Sequence, residues 1–177
     1  YIFAALPTGH LATLHYGKRI DEQSDYKFIF PEQGSGYGTS VFVEKDNRKV
    51  WPDSLDAETS FVGRGDYREP MFVISDGNDD CISQLLFDSW HMEEDFVIPQ
   101  LPNTLNKQQT LCVVLKDNTR NLQIKMYYSV FPDSDVIVKS CCVTNFGTQD
   151  LWLTRAMSSQ IDLPDEGWIV DTLDGAW

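Results

Sequence analysis

What the chain lacks rules out several classes at once. No apolar run approaches the ~18 residues needed to span a bilayer, and no stretch carries a long helical period. Basic residues are scarce: 14 Lys+Arg against 27 Asp+Glu give a formal net charge of -13, which disfavours nucleic acid and anionic membrane as partners. There is no Gly-x-Ser-x-Gly elbow, phosphate-cradling loop or Cys/His nucleophile pattern. The three histidines are His10, His15 and His91, the last beside Met92-Glu93-Glu94-Asp95, and none has a companion at metal-ligand spacing. The four cysteines, Cys81, Cys112, Cys141 and Cys142, lack the short paired spacing of a zinc site. No metal and no cofactor are expected. Internal repeats, linkers and low-complexity segments are absent too, so the reading is one domain over residues 1–177.

The residues present describe a packed β protein. With 42% hydrophobic and 12% aromatic residues, 177 residues suffice for a real core without disulfides. The cysteines read as small core residues in strand-like runs. Cys141 and Cys142 are adjacent, so on a strand they face opposite sides and do not bond each other easily. A reducing, cytoplasmic compartment is the simpler expectation. Tyr1 to Leu6 already looks like a strand, so the natural N-terminus is expected to lie upstream.

Organisation centres on Leu122 to Ala156, which reads as three strands and two turns. Leu122, Ile124, Met126, Tyr128 and Val130 share one face while Gln123, Lys125 and Ser129 lie on the other, the period of a half-buried strand. Pro132-Asp133-Ser134-Asp135 stops the ladder because proline lacks the donor and Asp and Ser bond their own backbone. The chain returns through Val136 to Val138, breaks at Asn145-Phe146-Gly147 and returns through Leu151 to Leu153, so the three strands are expected to form an antiparallel meander. Upstream, Tyr1 to Leu6 and Leu11 to Tyr16 form a hairpin. Met71 to Ser75 and Cys81 to Asp88 are expected to form another across the turn Asp76 to Asp80, and Leu111 to Lys116 leads into the central meander. A short strand is expected near Trp168 to Val170. Residues 21 to 60 are the longest irregular region, with strands possible at Tyr26 to Phe30 and Val41 to Glu44. About a dozen short strands at close spacing mean an all-β sandwich or barrel with little helix.

Candidate chemistry is sparse. Asp133/Asp135, Asp79/Asp80 and Asp165/Glu166 are acidic pairs of the kind that could flank a glycosidic bond, but each sits in a turn, where Asp is favoured for geometry alone. Trp51, in a polar loop ending at Pro52-Asp53, is the best indole for stacking on a sugar ring. Trp152 and Trp168 alternate with Leu151, Leu153 and Ile169 and read as core. Gly63-Arg64-Gly65-Asp66-Tyr67-Arg68 suggests a tight bend with an ion pair, or a ligand contact. No catalytic residue is assigned.

An ordered set of short signatures nevertheless runs along almost the whole chain: Gly9-His10-Leu11 to Tyr16-Gly17-Lys18, Ser54-Leu55-Asp56, Gly65-Asp66-Tyr67-Arg68-Glu69-Pro70 and Leu101-Pro102. Leu111 to Asp117, Tyr128 to Phe131, Asp135-Val136-Ile137, Asn145, Arg155-Ala156-Met157-Ser158 and Gly175-Ala176-Trp177 continue it. Together these resemble the N-terminal domain of glycoside hydrolase family 36, the bacterial α-galactosidases or melibiases. Arg64 departs from the family's small polar residue, Glu94-Asp95 stand where a glycine and lysine are usual, and residues 21–48 align poorly. The resemblance implies an N-terminal β-supersandwich, with a catalytic (β/α)₈ barrel and a C-terminal β domain expected downstream. It also implies retaining hydrolysis of α-galactosides such as melibiose and raffinose by two barrel aspartates, neither in this chain. For this domain it implies packing on the barrel, a place in oligomers that are often tetrameric, and loops bordering a sugar pocket. Arg48 is the expected rim contact; Trp51, as the stacking candidate, and Asp66 and Arg68 are the further substrate-binding candidates, the last two matching the motif more securely but bracing the bend. A free-standing carbohydrate-binding module is the alternative.

Overall fold

In a computed structural model, residues 1–20, 42–43, 49–50, 52, 55–94, 96–98, 109–163 and 167–172 are described. Their strands are β1 (Ile2–Ala5), β2 (Leu11–His15), β3 (Phe42–Val43), β4 (Lys49–Val50), β5 (Phe72–Ser75), β6 (Leu86–Glu93), β7 (Gln109–Asp117), β8 (Leu122–Phe131), β9 (Val136–Asn145) and β10 (Trp152–Ala156). No α-helix occurs among the described residues. The protein is all-β and antiparallel, as the alternation in Leu122 to Val130 leads one to expect.

The organising layer is a four-stranded sheet in the order β6-β7-β8-β9. Across it Trp90 lies opposite Val113, Val113 opposite Met126 and Met126 opposite Cys141. These residues share one face because pairing preserves side-chain direction. That inner face meets β2 and β5: Leu11, Met71, Phe72, Ile74 and Leu85 pack with Val113, Leu115, Leu122, Ile124, Met126 and Tyr128 into the main core. The opposite face buries Cys112, Val114 and Tyr127 beneath Phe96, whose ring stacks on Tyr127 at 4.0 Å.

Turn chemistry sets the register. Pro132–Ser134 form one 3-10 turn, and Asp135 takes the left-handed conformation at φ 52° that lets β9 fold back on β8. At the other end of β8, Asp117 Oδ1 accepts from the amides of Thr119 at 2.9 Å and Arg120 at 3.2 Å. Asp117 Oδ2 accepts from the Gln84 amide at 2.8 Å. Arg120 donates to the Ile74 carbonyl at 2.8 Å and to Ser83 Oγ at 3.0 Å, so one β7–β8 turn fastens β5 and the approach to β6.

Several expectations need correction. Met71 to Ser75 and Cys81 to Asp88 do not form a hairpin, and the run through Leu151 to Leu153 does not complete a meander with β8 and β9: β10 leaves their sheet to pair with β5, with Ile74 opposite Leu153, and β6 begins only at Leu86. Residues 81–85 are diverted from a ladder because Arg120 and Asp117 take their polar groups. β6 instead runs on through Trp90–Glu93, since its partner residues on β7 extend to Thr110. Trp168 to Val170 is not a strand. Trp152 and Trp168 are not core; they are 54% and 55% exposed, Trp152 on the two-stranded sheet that β10 makes with β5 and Trp168 outside any strand. Of the cysteines only Cys112 is buried; Cys81 lies outside any strand and Cys142 is exposed on β9. Tyr26 to Phe30 lies outside the described residues.

Ile124 is fully buried, central in β8 and opposite Leu115 and Val143. Ile124→Ala should therefore lower unfolding free energy by about 2–5 kcal/mol, the usual cost of truncating a buried aliphatic side chain, measured as a shifted denaturant midpoint with unchanged slope.

Candidate functional site

The segment from Leu55 to Ser60 carries the densest polar wiring. It leaves the described Pro52 and runs beside β2, where Thr13 N donates to the Asp56 carbonyl at 2.7 Å and Glu58 N to the Leu11 carbonyl at 3.0 Å. Ala12 and Ala57 form an antiparallel bridge, so these residues act as a third member of the first hairpin. On the other side the 157–162 segment closes over them: Gln160 Nε2 donates to the Ala57 carbonyl at 3.3 Å and the Ala57 amide to Asp162 Oδ2 at 3.2 Å.

Two ion clusters flank this segment. The first is built on the bend from Gly63 to Arg68, where Gly63, Arg64 and Gly65 have φ values of 92°, 60° and 81°. Two glycines accept that conformation without a Cβ penalty, and the turn brings Asp66 back toward Arg68. Arg68 Nε donates to Asp66 Oδ1 at 2.8 Å, while its terminal nitrogens donate to Asp162 and to the Pro52 carbonyl. One guanidinium thus holds three separate segments, using its fork of donors. Asp56, exposed beside it, is pushed above the usual carboxylate range first by partial desolvation and then by Asp162, with Arg68 opposing.

The second cluster surrounds Glu58, whose side chain is wholly buried. Lys139 Nζ donates to Glu58 Oε1 at 2.7 Å and Tyr128 Oη to the same oxygen at 2.8 Å. Thr13 Oγ1 and Tyr1 Oη donate to Oε2, Thr13 at 3.1 Å. Lys139 also reaches the Gln160 carbonyl at 3.3 Å and lies 4.6 Å from the centre of the Tyr1 ring. Burial raises the Glu58 pKa, and the Lys139 charge and the hydrogen bonds oppose that rise without cancelling it. Tyr128 is raised as well, first by burial and then by the carboxylate it serves.

Beside this cluster lies an open cleft of about 740 Å³, with Tyr1, Tyr16, Lys18, Arg19, Asp135 and Lys139 in its wall. Tyr1 and Tyr16 meet edge to face at 5.7 Å. Large apolar side chains are exposed in two places. Trp90, Met92, Val130, Val136 and Ile137 lie on the β6 edge and the far ends of β8 and β9. Trp152, Leu153, Met157, Ile161, Trp168, Ile169 and Val170 follow the chain beyond β9. Apolar exposure of this kind suits burial against another surface better than chemistry.

Among the substrate-binding candidates, Asp66 and Arg68 are brought together as an ion pair, whereas Arg48 and Trp51 lie outside the described residues. The acidic pairs Asp79/Asp80 and Asp133/Asp135 sit exposed in turns; Asp165/Glu166 lie outside the described residues. Sequence reasoning passed over Glu58, Lys139 and Asp162. Glu58 gave a weak signal, a lone acid between Ala57 and Thr59 in an otherwise uncharged run to Ser60.

The glycosyl hydrolase family 36 N-terminal domain family matches residues 9–177. The probable alpha-galactosidase C of Aspergillus flavus is 31% identical over 96% of this chain and 22% of its own length. Alpha-galactosidase 2 of Pediococcus pentosaceus is 33% identical over 69% of this chain and 18% of its own. The chain thus spans about a fifth of the curated relatives it matches. Among solved structures, the alpha-galactosidase from Lactobacillus brevis superposes with a TM-score of 0.80 at 32% identity, over 93% of this chain and 23% of that one. A doubly substituted GH36 alpha-galactosidase from Geobacillus stearothermophilus in complex with stachyose gives 0.80 at 25% identity, over the same shares.

The raised Glu58 pKa fixes the sign of a pH effect. A carboxyl whose folded pKa exceeds its unfolded value of 4.5 adds stability that is full below 4.5 and is lost as pH rises through the folded value. Lys139→Met removes the charge that opposes the rise, so it should cost about 3–5 kcal/mol at pH 7 and less on acidification, as Glu58 protonates. Urea midpoints of both proteins at pH 7 and pH 5 measure the difference.

Proposed function

Because this chain belongs to the glycosyl hydrolase family 36 N-terminal domain family, we propose that it is the non-catalytic β-sandwich of a retaining α-galactosidase acting on terminal α-galactosides of the melibiose and raffinose type. Its task is structural: it packs on a downstream catalytic (β/α)₈ barrel and helps assemble a cytoplasmic homo-oligomer, with galactoside bound by the complete enzyme. The observation that carries this reading is the apolar surface from Trp152 to Val170, where Ile169 and Val170 are 84% and 87% exposed. A chain leading toward another domain would bury such residues there.

In this reading Asp66 and Arg68 are positioning residues for the sugar-pocket rim. Arg68 fixes the Pro52 carbonyl, and Pro52 directly follows Trp51 in the sequence. The chemistry belongs to the barrel: retaining hydrolysis needs two carboxyl groups about 5–5.5 Å apart around one sugar. Here Asp66 and Asp162 are both committed to one guanidinium. Among the described residues no helix is long and apolar enough to cross a membrane.

The 177-residue chain by itself should not turn over an aryl α-galactoside, and its galactose affinity should be no better than about millimolar, roughly 4 kcal/mol of binding. The natural gene product that contains it should hydrolyse the same substrate. Turnover by the chain alone that is abolished by changing one of its own acids would overturn the assignment. Light scattering of the isolated chain should show concentration-dependent association through the exposed apolar surface.

A further inference from the structure

We propose that His91, Glu93 and Cys112 form a binding site for a borderline-soft divalent cation, best matched by Zn²⁺, on the outer face of the four-stranded sheet. One ligand atom from each, an imidazole nitrogen, a carboxylate oxygen and Sγ, lies within 4.8 Å of the other two. No spacing in the sequence signals this, since two donors come from β6 and the third from β7, 21 residues after His91. Strand geometry makes the cluster. His91 and Glu93 are two apart on one strand and point the same way, and antiparallel pairing sets Cys112 directly opposite His91.

Donor chemistry selects the ion. A thiolate, an imidazole and a carboxylate are the nitrogen, sulfur and oxygen ligands of zinc, at about 2.0–2.3 Å from the metal. A sulfur donor disfavours calcium and magnesium, which take oxygen ligands. A tetrahedral ion with such bonds places its ligands about 3.3–3.8 Å apart. His91 Nε2 and Glu93 Oε1 stand 3.0 Å apart. Small side-chain rotations therefore open this pair around an ion.

The surroundings are graded as a metal site requires. Cys112 is wholly buried, between Val114 and Tyr127 in the satellite cluster beneath Phe96, while His91 and Glu93 are partly exposed and give the ion its way in. Tyr127, opposite Cys112 on β8, packs beside it in the same cluster. β6 is the edge of its sheet among the described residues, so the ion would cross-link that edge to β7.

The test is metal titration of the chelator-stripped, reduced chain with Zn²⁺ and, for spectroscopy, Co²⁺. One equivalent should bind, raise the thermal midpoint, and with Co²⁺ give a thiolate-to-cobalt charge-transfer band with tetrahedral d–d absorption. His91→Ala and Glu93→Gln, at partly exposed positions that should leave the fold intact, should each weaken binding at least tenfold. Cys112→Ser should remove the charge-transfer band. Failure to take up a stoichiometric equivalent would overturn the proposal. So would unchanged affinity in both surface variants, or a cobalt complex without the thiolate band, even if Cys112→Ser does not fold.

Discussion

The buried carboxylate of Glu58 is the constraint around which the sandwich closes. An ionised carboxylate without partners inside a protein costs many kcal/mol, so the fold must deliver donors from elsewhere. It does so from every layer: Thr13 from β2, Tyr128 from β8, Lys139 from β9 and Tyr1 from the chain's first residue. These groups are far apart in sequence and meet only when the first hairpin, the 55–60 segment and the large sheet are all in place. The cluster thus rewards one arrangement and penalises near misses, more as a specifier of structure than as a source of net stability.

Arg68 repeats the arrangement with its sign reversed. One cation collects Asp66, Asp162 and the Pro52 carbonyl, tying the glycine-rich bend to segments before and after it. Between the two clusters the 55–60 and 157–162 segments have little freedom. Polar wiring there replaces ladder pairing, which is why strand periodicity fades in the sequence although the backbone is well held.

The proposed cation site on the outer face has a different origin. There the satellite cluster around Cys112, Val114 and Tyr127 buries a central strand on both sides. Its margin at the β6 edge is closed by polar side chains instead of apolar ones, and that change of character concentrates metal-binding donors at one spot.

The β8 strand, its turns and the antiparallel class were determined by the sequence alone, because alternation with period two and the proline and aspartate stops act over a few residues. The Gly63 to Arg68 bend with its ion pair was equally local. Tertiary structure decided what depends on partners distant in the chain: β5 joining β10 instead of the following segment, the outward placement of Trp152 and Trp168, and residues 81–85 losing their ladder to Arg120 and Asp117. An indole between leucines reads as core in sequence, yet whether a second layer covers that face is set by the order of strands. The same holds for Glu58 and Lys139, and for Cys112 opposite His91. A charge pattern in one dimension does not reveal a pair separated by 81 residues, because only the sheet register brings the two groups together.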